Sequence, residues 1–135
     1  MSPSSADAWI AVAQERAADA SALLLVREQS AGSVYLAGYA IECSLKAFLQ
    51  RSGKAFPTAG GAGHDLRSLW SHSGFRLRDI DDESGSKSFF IQTWSTDLRY
   101  TVDPNFPCAT TDLVAAAKRL SGWLQAQTRR WRTRK

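Results

Sequence analysis

The chain has 135 residues, of which 44% are hydrophobic and 22% are charged. This composition is typical of a globular domain with its own core and argues against wholesale disorder. No apolar run approaches the roughly 18 residues that a membrane span needs, and residues 1–7 lack the basic and apolar segments of a secretory signal. A single cytoplasmic domain without membrane association is therefore predicted.

The formal net charge of +4 is concentrated at one end of the sequence. Residues 129–135 hold five of the 17 basic residues, which leaves 12 basic residues against 13 acidic ones elsewhere, a balance of −1. Cations around a tryptophan suit nucleic-acid phosphates and one stacking surface, although a short basic tail can also serve solubility alone. The tail residues in question are Arg129, Arg130, Trp131, Arg132, Arg134 and Lys135.

Helical periodicity between Pro- and Gly-containing loops predicts an all-α protein. A first helix is predicted over about 5–28, with an apolar face that begins at Trp9. A second helix, over about 32–51, is apolar nearly all round, which is typical of a central helix. The narrow arc of this helix that is predicted to tolerate solvent consists of Ser33, Ala37, Ser44 and Arg51.

Shorter helices are predicted in the second half of the chain. Asp65 is a suitable N-cap for a third helix reaching about Ser73, and a fourth helix is predicted over about 87–98. Two prolines exclude a helix from 103–107, and Thr111 is predicted to cap the last helix. The buried stripe of that last helix is predicted to comprise Leu113, Ala117, Leu120, Leu124 and Trp131.

Glu42 and Lys46 lie four residues apart on the central helix, in the favourable order for a helical ion pair. Their neighbours on that side are Tyr35, Tyr39 and Leu49, so both charges are expected to be partly buried, which is costly unless they are paired. The pair is interpreted either as a structural device that fixes helix register or as a polar site at a groove or dimer interface.

Two further polar residues are candidates for a site. His64 follows a Gly-rich loop and opens a helix, where it could contact a phosphate or a carboxylate, or simply pack against the central helix. Arg99 could reach Glu42 or a phosphate with two hydrogen bonds, or complement a helix dipole.

Cys43 and Cys108 are not expected to form a disulfide in a cytosolic protein, and no metal or cofactor site is predicted.

Three sequence elements together resemble HEPN domains, a family of nucleotide-binding domains in prokaryotes and higher organisms. The first is Gly-Tyr-x-x-Glu-x-x-Leu-Lys at 38–46, the second is Gly-His-Asp-Leu at 63–66, and the third is Trp94 followed by Leu-Arg-Tyr at 98–100. Their order is similar to that in one prokaryotic branch, and the resemblance covers about residues 5–128.

The resemblance implies an up-and-down bundle of about five helices, as a single HEPN-like domain over 1–135 with the basic tail at 129–135, and often a homodimer. It implies RNA cleavage, or nucleotide or RNA binding, in toxin–antitoxin or defence systems, often with a minimal nucleotidyltransferase as partner. HEPN ribonucleases need no metal and use an Arg followed by four to six residues and a His, but no His follows Arg99. Arg67 and His72 match the spacing, yet about 140° of helical rotation separates their side chains.

Three hypotheses follow. In the first, a groove binds nucleotide, RNA or a partner protein without turnover. In the second, the protein is a metal-independent ribonuclease in which His64 is the general acid or base and Arg99 or Lys46 stabilises the developing charge. In the third, the protein is a purely structural interaction module. The expected ligand-binding residues are Tyr39, Glu42, Lys46, His64, Arg99 and Tyr100.

Overall fold

The computed structural model describes residues 3–57, 63–82 and 84–131. Its α-helices are α1 (Ala6–Val26), α2 (Ala31–Arg51), α3 (Leu66–His72), α4 (Ser86–Gln92) and α5 (Thr110–Arg130), with 3₁₀ helices at Leu77–Asp79 and Thr96–Tyr100. No strand occurs among these described residues, so the predicted all-α bundle of about five helices is confirmed. None of their helices has the length and apolar composition needed to cross a membrane.

Side-chain caps set two of the helix starts that the sequence predicted. Ser5 Oγ accepts a hydrogen bond from the Ala8 amide at 3.2 Å, which satisfies one of the free N–H groups at the start of α1. At the start of α3, the Asp65 carboxylate accepts from the Arg67 amide at 3.1 Å and from the Ser68 amide at 3.4 Å. The second cap fixes the backbone that directly follows His64.

The three long helices pack along one another, and α2 is at the centre. Trp9 at the start of α1 packs with Ala47 near the end of α2, so these two helices are antiparallel. The α5 helix runs in the same direction as α2, because Thr110 binds the Glu28 carbonyl at one end and Gln125 Nε2 donates to Ser44 Oγ at 3.2 Å further along. The short helices α3 and α4 return the chain between the two parallel helices.

The central position of α2 overturns the predicted solvent-tolerant arc. Ser33, Ala37 and Ser44 are buried, and only Arg51 is exposed. The α1 and α5 helices pack against α2, and residues 40–49 of α2 are all buried. The serine hydroxyls bond within their own helix, as Ser44 Oγ does with the Ala40 carbonyl at 2.8 Å, which offsets the cost of their burial.

Three predicted boundaries in the second half of the chain are wrong. The predicted fourth helix is interrupted, because α4 ends at Gln92 and a separate 3₁₀ helix begins at Thr96. Thr111 does not cap α5, which begins at Thr110 after the N-cap residue Ala109. Trp131 follows the end of α5 and is only partly buried, whereas the other four residues of the predicted stripe are buried.

The interruption after α4 turns Trp94 into the core. Its backbone amide donates to the Phe89 carbonyl at 3.0 Å, and its indole Nε1 donates to the Val34 carbonyl of α2 at 3.1 Å. The indole can lie this close to the α2 backbone because residue 38 is glycine; a Cβ built at Gly38 would overlap the indole ring. A glycine that normally weakens a helix is therefore required here by packing.

We predict that Gly38→Ala destabilises the protein by about 1–3 kcal/mol, the usual cost of overpacking a core. This loss outweighs the gain of up to about 1 kcal/mol that alanine brings to a helix interior. Urea unfolding of the variant is the measurement. Gly122→Ala on α5 is the matched control, since a Cβ there meets no atom within 4 Å and should raise stability. A stabilised Gly38→Ala variant would contradict the packing argument.

Candidate functional site

A buried carboxylate on α2 is held by residues from two different segments. Glu42 Oε2 lies 3.0 Å from Lys46 Nζ, one turn along α2, and Glu42 Oε1 lies 2.9 Å from His64 Nδ1 in the segment before α3. Glu42 and Lys46 are each only 2% exposed, whereas the His64 side chain is 34% exposed. We call these three residues the Glu42 cluster. The predicted Glu42–Lys46 pair is present, and His64 joins it.

The surroundings of the Glu42 cluster compensate the burial of its charges. Each carboxylate oxygen accepts one strong hydrogen bond, and the ammonium group of Lys46 also lies 5.1 Å from the centroid of the Trp9 ring. A cation over the face of an indole is attracted by the ring quadrupole. Lys46 therefore has an anion on α2 and an aromatic face on α1, and loss of either carboxylate or ammonium would leave a charge unpaired in the interior.

The contact with Glu42 fixes how His64 presents its ring. A carboxylate accepts hydrogen bonds, so Nδ1 of His64 carries the proton in this contact. In the neutral imidazole the second nitrogen, Nε2, then has a free lone pair. The exposed part of the ring can thus accept a proton or a hydrogen bond from a ligand, while the buried carboxylate holds its orientation.

The Glu42 cluster forms one wall of a surface cleft of about 490 Å³ between α1, α2 and the start of α3. Aromatic rings form much of the remaining wall. Tyr39 lies with its ring centroid 5.8 Å from that of His64 and 5.1 Å from that of Tyr35. We call this space the Glu42 cleft; its further lining residues are Pro3, Trp9, Val12, Arg16, Leu36 and Cys43.

Two nitrogen donors at the Glu42 cleft lack a hydrogen-bond acceptor among the described residues. One is Nε1 of Trp9, whose side chain is 6% exposed overall. The other is Nε of Arg16, which lies 3.2 Å from Asp19 Oδ2 but without hydrogen-bond geometry. Buried donors without acceptors are uncommon in folded proteins and are often satisfied by a ligand or an ordered water.

Burial also changes the acidity of two groups beside the cleft. Burial, followed by the neighbouring Tyr35, raises the pKa of the Tyr39 hydroxyl above its usual value. Burial, followed by the negative charge of Glu42, raises the pKa of the Cys43 thiol to about 12. Tyr39 therefore remains a hydroxyl donor, and Cys43 remains a thiol rather than a nucleophilic thiolate at neutral pH. Both cysteines are free thiols in the structure.

Arg99 and Tyr100 were predicted to belong to this site, and the structure places them outside it. They end the 3₁₀ helix at Thr96–Tyr100 and do not line the Glu42 cleft. The guanidinium of Arg99 lies over the Tyr100 ring, 4.9 Å from its centroid, and Tyr100 is 76% exposed. Nearby Tyr100, and after it Tyr35, raise the pKa of Arg99, and its charge also acts on Tyr39, so Arg99 influences the cleft from beside it.

The Arg67 and His72 pair does not form a shared site. Arg67 Nη2 donates to the Gln92 carbonyl at the end of α4, at 2.9 Å. His72 Nδ1 donates to the Ser68 carbonyl of its own helix, at 2.8 Å. Each side chain serves a separate local contact, as the rotation of a helix over five residues led us to expect.

The basic tail is described only in part. Arg129 and Arg130 are exposed at the end of α5. Trp131 contacts the Phe48 ring edge-to-face, with centroids 5.6 Å apart, so it packs against α2 while it remains partly exposed. Arg132, Arg134 and Lys135 lie outside the described residues.

Sequence reasoning missed three contributors to the cleft. Trp9 was interpreted only as part of the apolar face of α1, and Arg16 and the ring of Tyr35 were given no role in the site. The signal was present in the spacing, because positions 9 and 16 are seven residues apart and so share one helix face. No group of three or more His, Cys, Asp or Glu in the described residues could hold a metal ion.

Comparison of the chain with protein-family models, with curated proteins and with solved structures found no match.

We predict that Lys46→Met destabilises the protein by about 3–5 kcal/mol, because it leaves the Glu42 carboxylate buried without its cation. The double variant Glu42→Leu/Lys46→Met removes both charges and should recover most of that loss. Urea unfolding of the single and double variants measures both effects.

The half-exposed pair of Arg16 and Asp19 on α1 provides a comparison for this experiment. Its removal by Arg16→Gln should change the free energy of unfolding by less than about 1 kcal/mol, because solvent screens half-exposed charges. If Lys46→Met has an effect as small as Arg16→Gln, the ion pair is not held in a desolvated environment.

Proposed function

We propose that this protein is a HEPN-like binding module whose Glu42 cleft binds a nucleotide or a nucleotide unit of RNA without turning it over. The observation that carries the proposal is the Glu42–His64 hydrogen bond of 2.9 Å, which joins a buried carboxylate to a half-exposed imidazole at the wall of a 490 Å³ cleft. A buried carboxylate that orients the ring of a partly exposed histidine is an arrangement suited to presenting that ring to a ligand.

The chemistry of the Glu42 cleft suits a ligand with a planar ring and an anionic group. The rings of Trp9, Tyr35 and Tyr39 supply an aromatic wall, and the two tyrosines also carry hydroxyl groups. Arg16, whose side chain is 39% exposed, supplies a cation. A base and a phosphate match these two requirements better than an apolar ligand does.

The family context supplies the expected setting of this activity. The resemblance to HEPN domains suggests a cytoplasmic homodimer in a toxin–antitoxin or defence system, with a minimal nucleotidyltransferase as a possible protein partner. In this proposal the chain binds its nucleic ligand through the cleft, and Arg99 and Tyr100 act only at its periphery. The missing Arg-to-His motif is the reason for proposing binding ahead of catalysis.

We predict that His64→Ala weakens binding of a fluorescein-labelled RNA pentanucleotide about tenfold, since it removes the imidazole that faces the cleft, and about 1.4 kcal/mol corresponds to tenfold in affinity. Fluorescence anisotropy at fixed salt measures the change. His72→Ala is the matched control, because His72 is exposed and bonds only within α3. Equal affinities of the wild type, His64→Ala and His72→Ala would refute a role for the Glu42 cleft.

The second candidate function is a metal-independent ribonuclease, which the orientation of His64 favours. With Nδ1 held by Glu42, Nε2 could accept the proton of a ribose 2′-hydroxyl as its oxygen attacks phosphorus; the P–O5′ bond then breaks and the 5′-oxygen of the next nucleotide leaves, taking a proton from water. Lys46 is engaged by Glu42 and by the Trp9 ring, and Arg99 lies outside the cleft, so Arg16 is the better-placed cation for the developing charge.

This alternative predicts cleavage of a labelled RNA in EDTA, with 2′,3′-cyclic phosphate ends that gel electrophoresis and mass spectrometry detect. His64→Ala should lower the rate at least about 100-fold, the lower range for loss of a general base. Cleavage unchanged by His64→Ala would identify a contaminating nuclease. Binding without any cleavage supports the binding module instead.

A further inference from the structure

One end of the bundle gathers exposed cations from three separate segments. Arg51 ends α2, Lys54 follows it, Arg76 precedes the 3₁₀ helix at Leu77–Asp79, and Arg129 and Arg130 end α5; all five are exposed. We call this surface the basic end. The tail sequence indicated only the contribution of α5, because the other cations are distant in sequence.

Phe48 connects the segments of the basic end. Its ring lies 4.8 Å from the Phe75 ring and 5.6 Å from the Trp131 ring, measured between centroids. Lys54 Nζ lies 6.0 Å from the Phe48 centroid and donates to the Ser73 carbonyl at 3.1 Å. We call the rings of Phe48, Phe75 and Trp131 the aromatic floor. Because Arg76 follows Phe75 and Arg130 precedes Trp131, these contacts place the cations around it.

The charges of the basic end are not neutralised within the described part of the chain. Among the described residues, the ion pairs are those of Arg16 with Asp19 and of the Glu42 cluster, and none involves a cation of the basic end. Asp7 in the first turn of α1 is a carboxylate at the same end, and the charges of Arg78 and Asp79 cancel each other. The surface therefore keeps a clear positive excess.

The opposite end of the bundle has the reverse sign. One cation, Arg27, lies in the turn between α1 and α2. Three carboxylates lie in that turn or near the start of α5, namely Glu28, Asp103 and Asp112. The parallel α2 and α5 both end at the basic end, where their C-terminal dipoles account for some cations. Dipole complementation needs charges in the last turn only, and it does not explain Lys54 or Arg76, which lie outside both helices.

We propose that the basic end binds the phosphodiester backbone of a nucleic-acid strand, as a second site separate from the Glu42 cleft. Guanidinium groups suit phosphate oxygens because they offer paired N–H donors, and four of the five cations are arginines. The aromatic floor adds rings at the centre of the cationic surface, an arrangement that acidic protein partners do not require.

The test measures anisotropy of labelled 20-nucleotide RNA and DNA single strands from 50 to 300 mM NaCl. Phosphate contacts release counterions, so log K falls with log salt by about 0.7 per contact on a single strand. The wild type should show a slope of magnitude above about 2. Arg51→Gln/Arg130→Gln should lower affinity about tenfold at the lowest salt and reduce the slope by about 1.4.

The control pair Arg27→Gln/Arg119→Gln removes the same charge from exposed positions away from the basic end and should leave affinity and slope nearly unchanged. Equal losses in both pairs would overturn the proposal, since overall charge would then explain binding. A wild-type slope below 2, or equal competition by polyglutamate, would overturn it as well. Circular dichroism confirms that the variants fold. His64→Ala should leave the slope unchanged, which separates this site from the Glu42 cleft.

Discussion

A carboxylate in the middle of a buried helix must be both neutralised and hydrogen-bonded, because burial removes most of its hydration. Glu42 meets this requirement with Lys46 on its own helix and with His64 from the segment before α3. The start of α3 is thereby tied to α2, and α1 is tied to it through the Trp9 ring beside Lys46. The cleft exists because these three segments meet around one charge.

The sequence predicted those features that depend on local spacing. A helix that is apolar nearly all round indicated the central position of α2, and the four-residue spacing indicated the Glu42–Lys46 pair. The contact of Glu42 with His64 spans 22 residues, so the sequence indicated only that His64 could contact a carboxylate and not which one. Arg99 was misplaced because one continuous helix was expected, whereas Trp94 turns inward to reach Val34 and redirects the chain that follows.

Other errors arose from contacts with distant parts of the chain, which the periodicity of a single helix does not reveal. Ser44 was expected to face solvent, yet it is buried and Gln125 of α5 bonds it. Gly38 was given no packing role in the predicted helix, although it leaves room for an indole. In both cases the deciding neighbour lies more than fifty residues away in the chain, so its identity could not be derived from the local pattern.

The central claim is that Glu42 holds His64 in one orientation with the proton on Nδ1. Nitrogen-15 NMR of the imidazole rings tests it directly, because protonated and unprotonated ring nitrogens have well-separated chemical shifts. At a pH where the ring is neutral, His64 should show a protonated Nδ1 and an unprotonated Nε2, and Glu42→Gln should disturb this pattern. A wild-type His64 with the proton on Nε2, or with averaged shifts that Glu42→Gln leaves unchanged, would contradict the account.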